Sequence, residues 1–147
     1  MKVYLDTSAL AKRYVQEPGS EVLERFFISA VTEVIVSTLV LPEFGAAIGR
    51  KLRERRLPGS AATHAMNEFQ KDWVGLYVKV PLTEAVAEAA AALAIRYRLK
   101  GADAVHLATA IGEEVEVFIT SDAQLMGAAQ KEGLKGYDPS LAGPNSQ

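Results

Sequence analysis

The chain has 147 residues, 49% of them hydrophobic and 23% charged, which is the composition of one globular domain. It has no cysteine and only two histidines, which excludes disulfides, thiolate zinc sites and histidine-rich metal sites. Any bound metal must therefore be held mainly by oxygen ligands. The 16 basic and 18 acidic residues give a net charge of −2, unlike the overall charge of most nucleic-acid-binding proteins.

Helices and strands are predicted to alternate along the chain. Short apolar or β-branched runs bounded by polar residues predict strands, and apolar residues at helical spacing predict helices. Pro42 fits the first position of a helix, Thr83 fits an N-cap, and Gly101 and Gly133 fit helix ends. The predicted order is strand 2–5, helix 8–15, helix 19–30, strand 34–37, helix 42–56, helix 61–73, strand 77–80, helix 84–99, helix 102–114, strand 115–119, helix 122–131 and strand 134–137.

This alternation predicts an α/β fold, an open five-stranded parallel sheet with helices on both faces. We expect one domain over residues 1–138 and a loose C-terminal tail over residues 139–147. Four aromatic residues are expected in the core or at a dimer face: Phe26, Phe27, Trp73 and Tyr77. In open parallel sheets, ligands bind beyond the carboxyl ends of the strands, where the strand order reverses.

Neither a signal peptide nor a membrane span is predicted. The apolar stretch after Met1 ends at Asp6, which is too soon for the apolar core of a signal peptide. The most apolar stretch, from Ala85 to Ile95, is interrupted by Glu88 and is too short to span a bilayer. We therefore expect a cytoplasmic protein without membrane association.

Four carboxylates fall where a parallel sheet would bring them to one edge. Asp6 and Asp122 directly follow predicted strands, whereas Glu43 and Asp103 lie in the first turns of predicted helices. Such carboxylates repel one another, and Mg²⁺ or Mn²⁺ would neutralise them and activate water for phosphoryl transfer. Each acid could instead simply cap a helix or stabilise its first turn.

Four short motifs carry these acids, and their order and spacing resemble those of the PIN-domain family, in particular its VapC-type ribonuclease toxins. The motifs are VYLDTSAL (residues 3–10), LPEF (residues 41–44), GADAVHLATA (residues 101–110) and FITSDAQL (residues 118–125). The resemblance covers about residues 1–138. Each motif alone is weak, but four in the same order are fairly specific.

The resemblance implies a PIN-like domain that acts as a metal-dependent endoribonuclease. It implies that Mg²⁺ or Mn²⁺ is held by Asp6, Glu43, Asp103 and Asp122. Thr7 or Ser8, together with Thr120, would supply hydroxyls that orient the carboxylates or water. A homodimer and a small antitoxin that covers the active site are also implied.

Two basic clusters and one histidine could also contribute. The first cluster contains Arg50, Lys51, Arg53, Arg55 and Arg56. The second cluster contains Arg96, Arg98 and Lys100. They could contact RNA phosphates or simply lie at solvated helix ends. A helix from Pro42 to Arg56 would be about 20 Å long, so we expect the first cluster to lie far from Glu43. His106 shares a helix face with Asp103 and could reach the site or be a packed helix histidine.

Other functions stay open at this point. The chain could be a solitary PIN-domain nuclease in RNA processing, or a non-catalytic module of the same fold that binds RNA or protein. A phosphatase with a phospho-aspartate at Asp6 is less compatible with the sequence. Haloacid-dehalogenase-like phosphatases carry a second acid two residues later, and here that position is Ser8.

Overall fold

Five strands and seven helices make up residues 1–141, the part of the chain that the computed structural model describes. They are β1 (Lys2–Leu5), α1 (Thr7–Ala11), α2 (Ser20–Ala30), β2 (Glu33–Ser37), α3 (Val40–Arg53), α4 (Gly59–Gly75), β3 (Val78–Val80), α5 (Glu84–Tyr97), α6 (Gly101–Gly112), β4 (Val117–Ile119), α7 (Ala123–Lys131) and β5 (Lys135–Tyr137). Within these residues, no helix is both long enough and apolar enough to cross a membrane.

All five strands form one parallel sheet in the order β3-β2-β1-β4-β5. The chain builds outward from β1 through β2 to β3, and then continues on the other side of β1 with β4 and β5. The strand order therefore reverses between β1 and β4, and a crevice is expected at their carboxyl ends. The predicted five-stranded parallel sheet is confirmed.

Alternate residues of the central strand face opposite sides of the sheet, as the two-residue period of a strand requires. Val3 and Leu5 belong to the core cluster that packs against the first four helices. Tyr4 belongs to the opposite cluster, where it lies with Phe118 and Leu107 under the last three helices. Helices thus cover both faces, as predicted. Of the four aromatic residues expected in the core, Tyr77 is buried and the other three are partly buried against the first cluster.

Several element boundaries differ from the prediction. Helix α1 ends at Ala11 because residues 12–14 continue with tighter i→i−3 hydrogen bonds. Helix α3 begins at Val40, which makes Pro42 its third residue. The missing N–H is still tolerated there because the carbonyl four residues earlier, that of Thr38, lies before the helix. Strand β4 begins at Val117, two residues later than predicted, and Glu114 adopts a left-handed conformation in the turn that follows α6.

The segment that follows β5 packs back onto the start of α2. Pro139 is buried, and a Cβ atom built on Gly19 would lie 2.7 Å from the Pro139 carbonyl carbon. Pro139 therefore packs against the domain. Of the predicted tail, residues 142–147 lie outside the described residues, and the domain boundary stays a prediction.

Candidate active site

Asp6 lies at the carboxyl end of β1 with its side chain only 4% exposed. It caps α1, because its Oδ1 accepts hydrogen bonds from the Ala9 backbone N–H at 2.9 Å and the Ser8 hydroxyl at 2.8 Å. Its Oδ2 accepts a hydrogen bond from Thr120 at 2.5 Å. Burial raises the pKa of Asp6, although the nearby His106 and the Thr120 hydroxyl act to lower it.

Asp122 follows β4 and is tied to the same neighbourhood through Thr120. The Asp122 backbone N–H donates to Thr120 Oγ1 at 3.0 Å, while its carboxylate caps α7 by accepting from the Leu125 N–H at 2.9 Å. The Ser121 backbone N–H donates to Ser8 Oγ at 3.1 Å. These bonds hold together the loops that follow β1 and β4, the two strands beside the crevice.

Glu43 projects from the first turn of α3 and accepts two short hydrogen bonds on the same oxygen. The Thr7 hydroxyl and His106 Nε2 each lie 2.6 Å from its Oε1. Partial burial acts to raise the pKa of Glu43, but the hydrogen bonds from His106 and Thr7 outweigh it, and the pKa is lowered overall. Glu43 is therefore held as a carboxylate, and no hydrogen bond from residues 1–141 reaches its second oxygen.

His106 connects Glu43 to the centre of the sheet. The ring is 2% exposed, and its Nδ1 lies 2.6 Å from the Tyr4 hydroxyl. Because an ionised Glu43 can only accept, Nε2 carries the hydrogen that it donates, and in the neutral ring Nδ1 then accepts from Tyr4. Burial, followed by the charge of Asp6, raises the pKa of Tyr4 well above its usual value, so its phenol stays a donor.

Asp103 lies in the first turn of α6, and no hydrogen-bond donor within the described residues contacts its carboxylate. Its pKa is raised, first by partial burial and then by the negative charges of Asp122 and Asp6. Glu43 raises it further. The other three predicted acids thus all lie near enough to affect Asp103, and a cation at this place would relieve their repulsion.

A divalent cation fits the chemistry of this donor set, although the side chains do not form a closed cage. Within residues 1–141, no three acidic or histidine side chains converge closely enough to make a ready coordination sphere. Mg²⁺ typically binds through one or two carboxylates and retains several waters for substrate phosphates. An open group of four carboxylates, of which Asp103 has no protein donor, suits that mode of binding.

Members of the two predicted basic clusters line two separate cavities. Helix length alone does not predict which residues line them. Arg50 and Lys51 line a cavity of about 420 Å³ that also contains Thr7 and Ser8. Part of the first cluster therefore lines the same cavity as Thr7 and Ser8, the hydroxyl residues that bind Glu43 and Asp6. Arg53 does not line this cavity.

The second basic cluster lies in a different cavity, of about 360 Å³, between α5 and α7. Two of its three predicted members, Arg96 and Arg98, line this cavity, whereas Lys100 does not. Arg96 Nη1 forms an ion pair with Glu132 at 2.7 Å. The Arg96 side chain is 60% exposed, so this ion pair is weak in water and offsets only part of the positive charge of the second cluster.

Lys12 was missed by the sequence analysis, although it lines the same cavity as Arg50. Its signal was available, because Lys12 lies four residues after Ser8 and so falls on the same face of a continued helix. His106 was recognised only as one of two possibilities. Its bond to Glu43 could not be predicted, because it depends on how α3 and α6 meet across β1.

The fold and the site define a class of protein. It is a parallel α/β domain with four carboxylates, Asp6, Glu43, Asp103 and Asp122 (the acidic group), at the crevice between β1 and β4. The sequence pattern of the PIN domain matches residues 3–131, and the chain belongs to the PIN-domain family. Ribonuclease VapC45 of Mycobacterium tuberculosis is 32% identical over 135 residues, which cover 90% of this chain and 92% of that protein.

Solved structures share the fold at lower identity. FitAcB from Neisseria gonorrhoeae superposes with a TM-score of 0.71 and 19% identity, covering 95% of this chain and 99% of that one. A toxin–antitoxin complex from Klebsiella pneumoniae gives a TM-score of 0.58 and 19% identity, covering 82% of this chain and 86% of that one. At this level of identity, these likenesses establish the fold.

Proposed function

We propose that the chain is a metal-dependent endoribonuclease of the VapC type and the toxin of a toxin–antitoxin pair. The observation that carries this proposal is the placement of four carboxylates around the crevice, where partial burial and then the charges of Asp122, Asp6 and Glu43 raise the pKa of Asp103. The 32% identity to a protein named as a ribonuclease supports RNA as the substrate. The likeness of the fold to a toxin–antitoxin complex supports the wider role.

In this proposal Asp6, Glu43, Asp103 and Asp122 hold Mg²⁺ or Mn²⁺. The bound cation would activate water and stabilise the charge that develops during phosphodiester hydrolysis. The hydroxyls of Ser8 and Thr120 fix the orientation of Asp6, as their hydrogen bonds to its two oxygens indicate. Thr7 and His106 keep Glu43 ionised and leave one of its oxygens available.

The test is cleavage of RNA by the purified chain with Mg²⁺ or Mn²⁺, and again with EDTA. We expect cleavage only with the metal. Asp103→Asn should lose more than about 100-fold in rate, because metal-ion stabilisation of the transition state is worth several kcal/mol. Glu88→Gln removes an exposed acid from α5 and is the matched control, with the rate of the unchanged chain. Wild-type rates in Asp103→Asn, or cleavage in EDTA, would overturn the proposal.

The partners implied by the family form a further part of the proposal. A small antitoxin should bind the chain and suppress its activity, and the chain alone should be a homodimer. Co-purification with the product of a short neighbouring reading frame tests the first point, and light scattering of the isolated chain tests the second. Recovery of an active chain that binds no such product would favour a solitary nuclease.

A further inference from the structure

The cavity beside the acidic group is strongly basic. It lies between the end of α1 and the C-terminal half of α3, and it has a volume of about 420 Å³. Its charged lining residues are Lys12, Glu17, Arg50, Lys51 and Arg56. Four positive charges and one negative charge give the cavity a surplus of three positive charges in a chain whose net charge is −2.

Glu17 orders two of these cations. One carboxylate oxygen lies 3.3 Å from Lys12 Nζ, and the other lies 3.1 Å from Lys51 Nζ. The Lys12 and Lys51 side chains are only 7% and 18% exposed, so both ammonium groups are held in place at the cavity wall. One carboxylate cannot neutralise two lysines, and the remaining charge is available to an anion.

Arg50 and Arg56 add to that surplus on the side open to solvent. Arg56 pairs with Glu54 at 2.6 Å, but both side chains are about half exposed, and such pairs are weak in water. No ion pair to Arg50 is found among the described residues. An incoming anion would therefore meet two arginines at the mouth and two ordered lysines at the wall.

The same cavity reaches the acidic group through two hydroxyls. Its lining includes Thr7, which donates to Glu43, and Ser8, which donates to Asp6. An anion in the cavity would thus lie next to the carboxylates without occupying their place. We propose that this cavity binds a backbone phosphate of the RNA strand adjacent to the phosphate that is cleaved. This inference rests on the proposed ribonuclease function.

The lining favours a phosphate over a base. It contains four cations, the Glu17 carboxylate that pairs with two of them, hydroxyls and the two small residues Ala11 and Ala47, but none of its residues within the described chain is aromatic. Bases of single-stranded RNA are usually bound by stacking on aromatic side chains, whereas phosphates are bound by lysine, arginine and hydroxyl groups. The contact therefore positions the strand and does not select its sequence.

The test uses single-stranded RNA oligonucleotides that carry one neutral methylphosphonate at successive positions. Binding is measured in the Asp103→Asn background, where cleavage does not interfere, with and without Arg50→Gln and Lys51→Gln. Each cavity substitution should weaken binding about tenfold and lower the slope of log Kd against log salt by about 0.7 to 1. Lys71→Gln, an exposed lysine on α4, is the charge-matched control and should leave Kd unchanged.

One methylphosphonate, next to the cleavage position, should weaken binding to the cavity-intact protein about tenfold. The same oligonucleotide should show no further loss with Arg50→Gln, because the contact is already absent. Equal losses in both proteins at every position would overturn the inference, as would unchanged affinity and salt slope in the cavity variants. RNA cleavage by the wild-type chain is measured first, so failure of the ribonuclease proposal would be recognised separately.

Discussion

Glu43 depends for its position on a residue that does not contact solvent. His106 donates to Glu43 through Nε2, and its ring is held in turn by the Tyr4 hydroxyl at 2.6 Å. Tyr4 is itself fixed by stacking on Phe118, with ring centroids 5.3 Å apart. A polar chain therefore runs from the middle of the sheet to the acidic group. Partners of this kind orient a metal-binding carboxylate without touching the metal.

Two substitutions of His106 distinguish the effect of its hydrogen bond to Glu43 from the effect of its packing in the core. His106→Gln places an amide N–H near the position of Nε2 and should retain the bond to Glu43. His106→Asn places its amide near Nδ1 and should lose that bond. We expect Mn²⁺ affinity, measured by calorimetry on the metal-free protein, to fall about 10- to 100-fold in His106→Asn and much less in His106→Gln.

Thermal unfolding of both His106 variants supplies the control, because both remove an aromatic ring from the core and should lose similar stability. A role limited to packing would affect the two variants equally in both measurements. Equal Mn²⁺ affinities in the two variants would therefore contradict the positioning role of His106.

At the scale of the helices, two of the four carboxylates are also N-caps. Asp6 caps α1 and Asp122 caps α7, each through a hydrogen bond to a backbone N–H three residues later. The alternative capping interpretation is thus confirmed for these two residues. It does not compete with the proposed metal site, because each cap engages only one carboxylate oxygen and a carboxylate has about four lone-pair sites for further partners.

Asp122 allows the cap and the charge to be tested separately. Asparagine is as good an N-cap as aspartate, so Asp122→Asn should cost only a few tenths of a kcal/mol, whereas Asp122→Ala should cost about 1 kcal/mol. Both variants lose the charge and should bind Mn²⁺ more weakly. Thr83→Ala removes the N-cap of α5, whose hydroxyl accepts from the Val86 N–H at 3.2 Å, and is the matched control.

Urea unfolding and Mn²⁺ calorimetry measure the two effects. Thr83→Ala should lose about as much stability as Asp122→Ala but keep the Mn²⁺ affinity of the unchanged chain. Full Mn²⁺ affinity in Asp122→Asn would show that this carboxylate serves α7 alone.

The order and type of the elements could be predicted from the sequence because the central strands are short apolar or β-branched runs and several helices have local start or stop signals, such as Pro42, Thr83 and Gly133. The position of the acids at one edge followed from that order, since parallel strands end at the same side. Contacts that depend on how helices meet could not be predicted. Arg50 lies beside Thr7 because α3 packs against α1, and no local pattern in either segment encodes that approach.

Over the whole molecule, the net charge of −2 conceals two neighbouring regions of opposite sign. The acidic group lies at the carboxyl edge of the sheet, and the basic cavity adjoins it between α1 and α3. Such an arrangement suits a substrate that carries several phosphates, one of which approaches the acids only with a cation while another binds the cavity. A single composition value could not reveal this separation, because the opposite charges cancel in the sum.

The segment around Pro139 packs against the start of α2, and Gly19 makes this close packing possible. Gly19 has φ = +96°, and a Cβ atom there would lie 2.7 Å from the Pro139 carbonyl carbon and 2.8 Å from Ser140 N. Alanine at this position would suffer both a left-handed backbone and a clash with main-chain atoms that cannot rotate away. Gly133 has a similar φ of +89°, but nothing lies within 4 Å of its Cβ position.

The two glycines therefore form a matched pair for measuring how much the packing of Pro139 on Gly19 contributes to the free energy of unfolding. Gly133→Ala should cost about 1 to 2 kcal/mol from the backbone conformation alone. Gly19→Ala should cost about 1 to 3 kcal/mol more, because the segment around Pro139 must move. Urea unfolding measures both free energies, and a lower m-value for Gly19→Ala would indicate that the segment has already detached in the folded state. Equal losses in the two variants would show that the packing of Pro139 on Gly19 contributes nothing to stability.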